Sequence, residues 1–430
     1  MRFLAFLLAF LVPFTVKADT LSTIVKAALE NNPEIKRALE EERISELQYR
    51  EAIANFLPDI SLQYTRTSLS DVPGYSMAFP GLPATRFEIL ESSFYEFKLS
   101  LRQPLFTGGR LSFGVKLRKE LKTATFYRFK ETVLKVLTEV KKDYYSLLEA
   151  KSAVEIAEKI LESAKEHYKT VKAFYDEGVV PRRDLLEAAF KVKEAEENLE
   201  RAKSAYRKTL EKLKKDTGYS LENIPLDGEK LDYVPVKLSE EELIDLALEN
   251  RPIIKALQAT KKGADYGVKL TYSQFLPAVF LSFSYDRTDQ YPGIGTFDAS
   301  AVSVLVNFPI FQGGKRFWKL KEAKSKKRQV ELSLEETKHA VRLQVVAALS
   351  SLKAAKARVE AAEAMVEDAK ELLKTSRERY REHVGTSTEV VDAIAYLARA
   401  EGFLNSALAD YNRALAELEY ATGVTLKGAP

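Results

Sequence analysis

The chain has 430 residues, of which 30% are charged and 46% hydrophobic, and its 66 basic and 62 acidic side chains leave a net charge of +4. This composition excludes collagen-like, disordered and helical membrane-bundle classes, and the near balance of charge argues against nucleic acid, which asks for a concentrated basic face. With no cysteine, disulfides, thiolate catalysis and thiolate metal sites are ruled out.

Residues 1–18 read as a signal peptide. Arg2 precedes the apolar run Phe3 to Val12, and Val16-Lys17-Ala18 puts small residues at −3 and −1 of a cleavage after Ala18. The run is shorter than the ~20 apolar residues a spanning helix needs. No later segment is long and apolar enough to span as a helix either, so strands must make any membrane contact.

The rest of the chain is one unit written twice, 19–236 and 237–430. Asn31-Asn32-Pro33 returns as Asn250-Arg251-Pro252, and Phe56-Leu57-Pro58 as Phe275-Leu276-Pro277, both at an offset of 219. Gln103-Pro104-Leu105-Phe106-Thr107-Gly108-Gly109 returns as Phe308-Pro309-Ile310-Phe311-Gln312-Gly313-Gly314 at an offset of 205, which then holds to the end. The first hairpin loop is therefore 14 residues longer than the second. Its extra stretch, with Pro73-Gly74, Pro80-Gly81, Pro83, Tyr75 and Phe79, reads as loop.

Each unit opens on a short helix and continues into a β-hairpin, 59–103 in the first and 278–308 in the second. Ile60, Leu62 and Tyr64 alternate with Ser61, Gln63 and Thr65; Phe97, Leu99 and Leu101 alternate with Lys98 and Ser100. In the second hairpin Val279, Leu281, Phe283 and Tyr285 share a face, as do Val302, Val304 and Val306. Strands of about ten residues are long enough to cross a bilayer when tilted. Pro58 and Pro277 stop the helix before each hairpin, and the Gly-Gly pairs turn each hairpin back into helix.

A long helix and a return helix complete each unit. Phe126, Val133, Val140, Leu147, Val154, Leu161, Tyr168 and Tyr175 recur every seventh residue, with alanines at 150, 157 and 164. Val345, Leu352, Val359, Val366, Leu373 and Tyr380 repeat the scheme, with alanines at 348, 355, 362 and 369. Such heptads keep one seam against a partner helix, and from Leu111 to Tyr175 they describe a helix about 100 Å long. The helix-to-helix turns fall at 176–183 and 381–388. After each comes a pair of acids three residues apart, Asp184 and Glu187, then Glu389 and Asp392. First-turn acids are favoured by the helix dipole alone.

Four strands cannot close a membrane barrel, which takes at least ~8. Open edges in lipid leave backbone groups unpaired, so other copies of the chain must complete the sheet.

On these features the chain resembles the TolC family of outer membrane efflux proteins. The likeness rests on the Asn-x-Pro opening, Phe-Leu-Pro before each odd strand, the Pro-(Leu/Ile)-Phe-x-Gly-Gly turn and the Tyr-centred helical tips, in duplicate and in order, from about Asp19 to Gly423. The resemblance implies a mainly α protein with a small β part. Four strands per chain would contribute to a trimeric 12-stranded barrel standing on an α-helical barrel, with an equatorial belt at 217–238 that includes Pro225, Asp227-Gly228 and Pro235. It implies a homotrimer in outer membrane lipid, extending into the periplasm and working with a periplasmic adaptor protein and an inner membrane transporter. It also implies an acidic ring at the periplasmic entrance, matched here by Glu389 and Asp392, with gating contacts at Asp184, Tyr380 and Arg381. The family's gating arginine falls on Gly385, so Arg379, Arg381 or Arg183 would have to replace it.

Two other classes fit less of the chain. For an enzyme, His167, His339 and His383 are scattered, each read as a surface residue, and the Gly-Gly pairs are too short for phosphate loops; no metal or cofactor is expected. A soluble periplasmic coiled-coil adaptor would share the helical hairpins but not the bilayer-length amphipathic strands.

Overall fold

A computed structural model describes residues 20–219, 231, 233 and 239–426. The expected signal peptide, and the expected belt apart from Thr217, Gly218, Tyr219, Leu231 and Tyr233, lie outside them. The elements run α1 (Thr20–Asn31), α2 (Pro33–Ala54), β1 (Asp59–Ser68), β2 (Gly74–Met77), β3 (Thr85–Glu88), β4 (Ser93–Phe106), α3 (Arg110–Asp176) and α4 (Arg182–Asp216). They continue as α5 (Glu240–Asn250), α6 (Pro252–Tyr272), a 3-10 turn (Ser273–Phe275), β5 (Ala278–Thr288), β6 (Phe297–Asn307), α7 (Lys315–Arg381) and α8 (Ser387–Thr422). Apart from β2 and β3 in the first series and the 3-10 turn in the second, the second series repeats the first element for element.

Contacts divide the chain into two compact units. The sheet-bearing unit comprises Glu41–Phe126 and Ala256–Glu335. Its four-stranded antiparallel sheet has the order β1-β4-β5-β6, so the two hairpins join through β4 and β5. Register sorts the side chains onto two faces. Ile60, Leu62 and Tyr64 stand opposite Leu101, Leu99 and Phe97; Leu99 and Leu101 face Tyr285 and Phe283; Leu281 and Phe283 face Val304 and Val302. The other face pairs Ser61 with Ser100, whose hydroxyls lie 2.9 Å apart, and Lys98 with Asp286 at 3.4 Å. It also carries large apolar residues: Phe94, Phe297, Leu305 and Phe280, the last stacked under the Arg102 guanidinium at 4.2 Å. The register slips between Pro104 and Phe106, where proline has no N–H to give the ladder.

The long β1–β4 connection departs from the loop expected there. Gly74 to Met77 pairs with Thr85 to Glu88 as a small antiparallel ribbon. The Tyr75 and Phe87 rings stack across it at 5.6 Å, and this cross-strand pair supplies the order that the flanking Pro-Gly steps do not predict. At the return into helix Gly108 has φ +61°, and a Cβ there would come within 2.6 Å of Leu276 Cβ. Glycine is needed on both counts.

The helical unit takes its described residues from Met1–Glu40, Tyr127–Lys255 and Glu336–Pro430. The heptad seam of α7 is buried along its length, from Val345 to Tyr380 with Ala348, Ala355, Ala362 and Ala369 between. In α3 the buried line moves from Val140 and Leu147 onto Ala150, Ala157 and Ala164. Small residues there let neighbouring backbones close in. No described helix is long and apolar enough to cross a membrane.

Candidate functional site

The turns at the ends of the two helical hairpins are variants of one design. The α3–α4 turn closes with Val179 N–H donating to Phe174 O (2.8 Å) and Gly178 at φ +76°. The α7–α8 turn closes with Val384 N–H donating to Arg379 O (3.0 Å) and His383 at φ +59°. Gly178 and His383 occupy the same place in the repeat, a left-handed position that ends a helix. The hairpins pack together through Val171, Ala188, Tyr380 and Val390, with Phe174, Leu185 and Ile394 around them.

Tyr380 lies in this core. Its ring meets His167 at 5.4 Å and Phe174 at 5.5 Å. Its hydroxyl is buried beside Ser387, with no hydrogen bond of ordinary geometry among the described residues. Burial raises its pKa, the Asp184 carboxylate adds to the rise, and the Ser387 hydroxyl offsets part of it. Asp184 and Tyr380, both expected at the entrance, are thus brought close enough to feel one another.

His167 was expected at the surface and is instead buried. Its Nε2 and Ser387 Oγ share a hydrogen bond of 2.9 Å across α3 and α8. Burial, with Arg377 adding charge repulsion, pushes its pKa down to about 4, so it is neutral near pH 7.

Glu389 and Asp392 are both exposed on the first turns of α8. Thr386 caps that helix by accepting from Glu389 N–H at 3.2 Å, a Thr-x-x-Glu pattern readable in the sequence. Arg379 reaches Glu389 at 3.6 Å. Gly385 permits this approach, because a Cβ there would stand 3.1 Å from Arg379 Cβ and 3.2 Å from the Glu389 carboxylate. Of the three arginines weighed for the gating role, Arg379 is the one the structure brings to an acid of the tip. Arg183 and Arg381 are exposed and make no ion pair among the described residues. Among the described residues no three metal-ligating side chains gather.

The sheet is two-faced, with no described strand beside β1 or β6 at its outer edges, and the two long helical hairpins share one tip core. A family model described as outer membrane efflux protein matches residues 24–219 and 243–424. The chain belongs to the outer membrane efflux protein family. Its place is therefore the outer membrane, with an extension into the periplasm. It is 26% identical over 412 residues to the alkaline protease secretion protein AprF of Pseudomonas aeruginosa, covering 92% of this chain and 83% of AprF. The fold matches the Campylobacter jejuni CmeC outer membrane channel with a TM-score of 0.76 at 18% identity, over 96% of this chain and 87% of that one. It matches the Neisseria gonorrhoeae MtrE outer membrane channel, solved in an open state, with a TM-score of 0.75 at 21% identity, over 94% and 89%. The family and these neighbours are channels.

Proposed function

We propose that this efflux family member is the passive exit duct of a tripartite efflux or type I secretion system, fed by an inner membrane transporter through a periplasmic adaptor protein. The observation that carries the reading is the sheet. Ile60, Leu62 and Tyr64 on one edge strand and Val302, Val304 and Val306 on the other continue an apolar face, and all six are exposed. The outer edges of β1 and β6 have no strand beside them among the described residues. In lipid each unpaired backbone group costs several kcal/mol, and an apolar outward face with a polar inward one is the pattern of a membrane barrel. Three copies would supply twelve strands. The similarity to AprF supports protein cargo, and the family description supports efflux; both use a duct of this kind. A soluble adaptor gives no reason for the two-faced sheet.

Within that duct Glu389 and Asp392 form the acidic ring of the periplasmic entrance, six carboxylates in a trimer. Clefts lined by one sign of charge concentrate counter-ions. Arg379 stands as a local counter-charge, with Tyr380 in the tip core, half-buried Asp184 near enough to act on it, and Arg381 on the outer turn.

The mass of the detergent-extracted protein, with detergent subtracted, tests the assembly: a trimer is expected, and a monomer soluble without detergent ends the duct reading. Conductance in planar bilayers tests the ring. Glu389→Gln with Asp392→Asn should lower cation over anion selectivity, and unchanged selectivity removes these residues from the entrance.

A further inference from the structure

The two hairpins end differently. β5 and β6 are joined by the short loop 289–296, whereas the β1–β4 connection carries the β2–β3 ribbon. That ribbon is amphipathic. Tyr75 faces Phe87 and Met77 faces Thr85, and Ile89 continues this face with its N–H donating to Pro73 O at 2.9 Å. The opposite face carries Gly74, Ser76, Arg86 and Glu88, with Arg86 tied back to Val72 O at 2.8 Å. Phe79 and Leu82 form the tip. Tyr75, Met77, Phe79, Leu82, Phe87 and Ile89 are all exposed. A two-stranded ribbon without a third layer is marginal in water, and a contiguous apolar face of this kind marks a contact surface.

The same rim holds a second apolar cluster. Tyr291 and Phe297 meet edge to face at 5.9 Å, and with Ile294 they stay exposed in the chain. Sheet order decides what can join the two clusters. In β1-β4-β5-β6 the ribbon's hairpin lies two strand spacings, about 10 Å, from the β5–β6 hairpin of its own chain. If the free edges of β1 and β6 are closed by neighbouring copies, it lies equally far from the β5–β6 hairpin of the next copy on its other side. Within one chain the two clusters leave each other uncovered, so the remaining side is the neighbour's.

We infer that the ribbon is a clasp between subunits: its Tyr75, Met77 and Phe87 face, with Phe79 and Leu82 at the tip, packs on the Tyr291, Ile294 and Phe297 cluster of an adjacent copy of this chain. The inference rests on the shared-barrel reading above. It gives the 14 residues by which the first hairpin loop exceeds the second a single role, that of holding the outer rim of the assembly together at the point farthest along the strands from the helices.

The absence of cysteine makes the test clean. Leu82→Cys and Ile294→Cys are placed in one full-length chain, the protein is oxidised in isolated outer membranes, and it is run on a non-reducing denaturing gel. The expected result is a shift of most of the chain to covalent dimer and trimer, absent in each single variant. That shift should be largely lost when Tyr75→Ser and Phe87→Ser are added. The detergent-subtracted mass of the same preparations separates the two readings. A trimeric mass with no bond, or with only a bond inside one chain, overturns the clasp and leaves the duct standing. A monomeric mass overturns both. A fluorophore on Leu82→Cys that is quenched by a lipid-phase quencher and not by an aqueous one would place the ribbon in lipid and overturn the clasp as well.

Discussion

Arg251 and Asn32 occupy the same position in the two halves and settle the same helix-to-helix junction by different chemistry. Asn32 Nδ2 donates to Asp216 O at 2.8 Å, and its Oδ1 accepts from Glu34 N–H at 2.8 Å. Arg251 is buried and donates to Tyr420 O at 2.6 Å and to Glu131 Oε1 at 2.7 Å, with its guanidinium 4.2 Å from the Tyr420 ring centroid. Glu131 also accepts from the Tyr420 hydroxyl at 3.0 Å and from Ile253 N–H at 3.2 Å. Removing one member of a buried ion pair strands the other. Arg251→Leu should therefore cost about 3 kcal/mol of stability. The double variant with Glu131→Leu should recover part of it, because no charge is then left in the junction. Thermal unfolding of the two variants in the same detergent checks both statements. The turn residues give a second contrast. Gly178→Ala places a side chain in left-handed backbone and should cost about 1 kcal/mol. His383→Gly should change stability little, since relief of the backbone is set against loss of the ring contact with Phe174 at 4.8 Å.

At the scale of elements, buried His167 and half-buried Asp216 give the helical hairpins opposite pH dependences. His167 has a folded pKa of about 4 against an ordinary 6.5. The unfolded chain therefore binds the proton first. The stability contributed by the neutral, buried ring is complete above about pH 6.5 and lost as pH falls towards 4, at most about 3 kcal/mol per chain. Hydrogen exchange at amides of α3 and α8 near the tip should rise over that window, and His167→Gln should flatten the rise. At the opposite end of α4, burial and then the neighbouring Asp143 carboxyl push Asp216 up to about 7, against the pull of Lys212 and Lys215. Asp143 is itself buried and paired with Lys212. Here the folded pKa is raised, so the folded chain holds the proton longer, and its advantage, complete below about pH 3.8, is lost as pH climbs from there through 7. Asp216→Asn should therefore stabilise more at pH 8 than at pH 5, and equal effects at both would remove the raised pKa of Asp216.

For the whole molecule, the exposed apolar surface is organised rather than scattered. The sheet has its apolar face, and the helices carry Leu186 and Phe190 on α4, Leu343 on α7, and Tyr396 and Phe403 on α8, all exposed. A lone chain would leave these surfaces in water. A charge placed on the apolar face of the sheet should therefore cost far more than one placed on the polar face. Val304→Lys, on the edge strand β6, is expected to destabilise the assembled barrel by ~2–4 kcal/mol if it lies near the bilayer midplane. Ser303→Lys, one residue earlier, should be tolerated. The fraction of protein migrating as oligomer on an unheated gel distinguishes them.

Periodicity is local, and what depends on it was legible before any coordinates. The seven-residue spacing of Val345 to Tyr380 named the buried seam of α7, the alternation from Ile60 to Tyr64 named the apolar face of β1, and the Gly-Gly pairs named both returns into helix. The internal repeat revealed the duplication because each half places the same small set of turn residues. The stacked pair Tyr75–Phe87 was missed because Pro-Gly steps on both sides mask a four-residue strand. The burial of His167, the Arg379–Glu389 contact and the Arg251–Glu131–Tyr420 junction were decided by tertiary structure alone. Each depends on which side chains arrive together when helices meet: His167 and Ser387 are 220 residues apart in sequence, and Arg251 and Glu131 are 120 apart. A sequence sets the angle at which each side chain leaves its own helix or strand. The partner it meets is set by the register between elements, which is decided only when the elements pack.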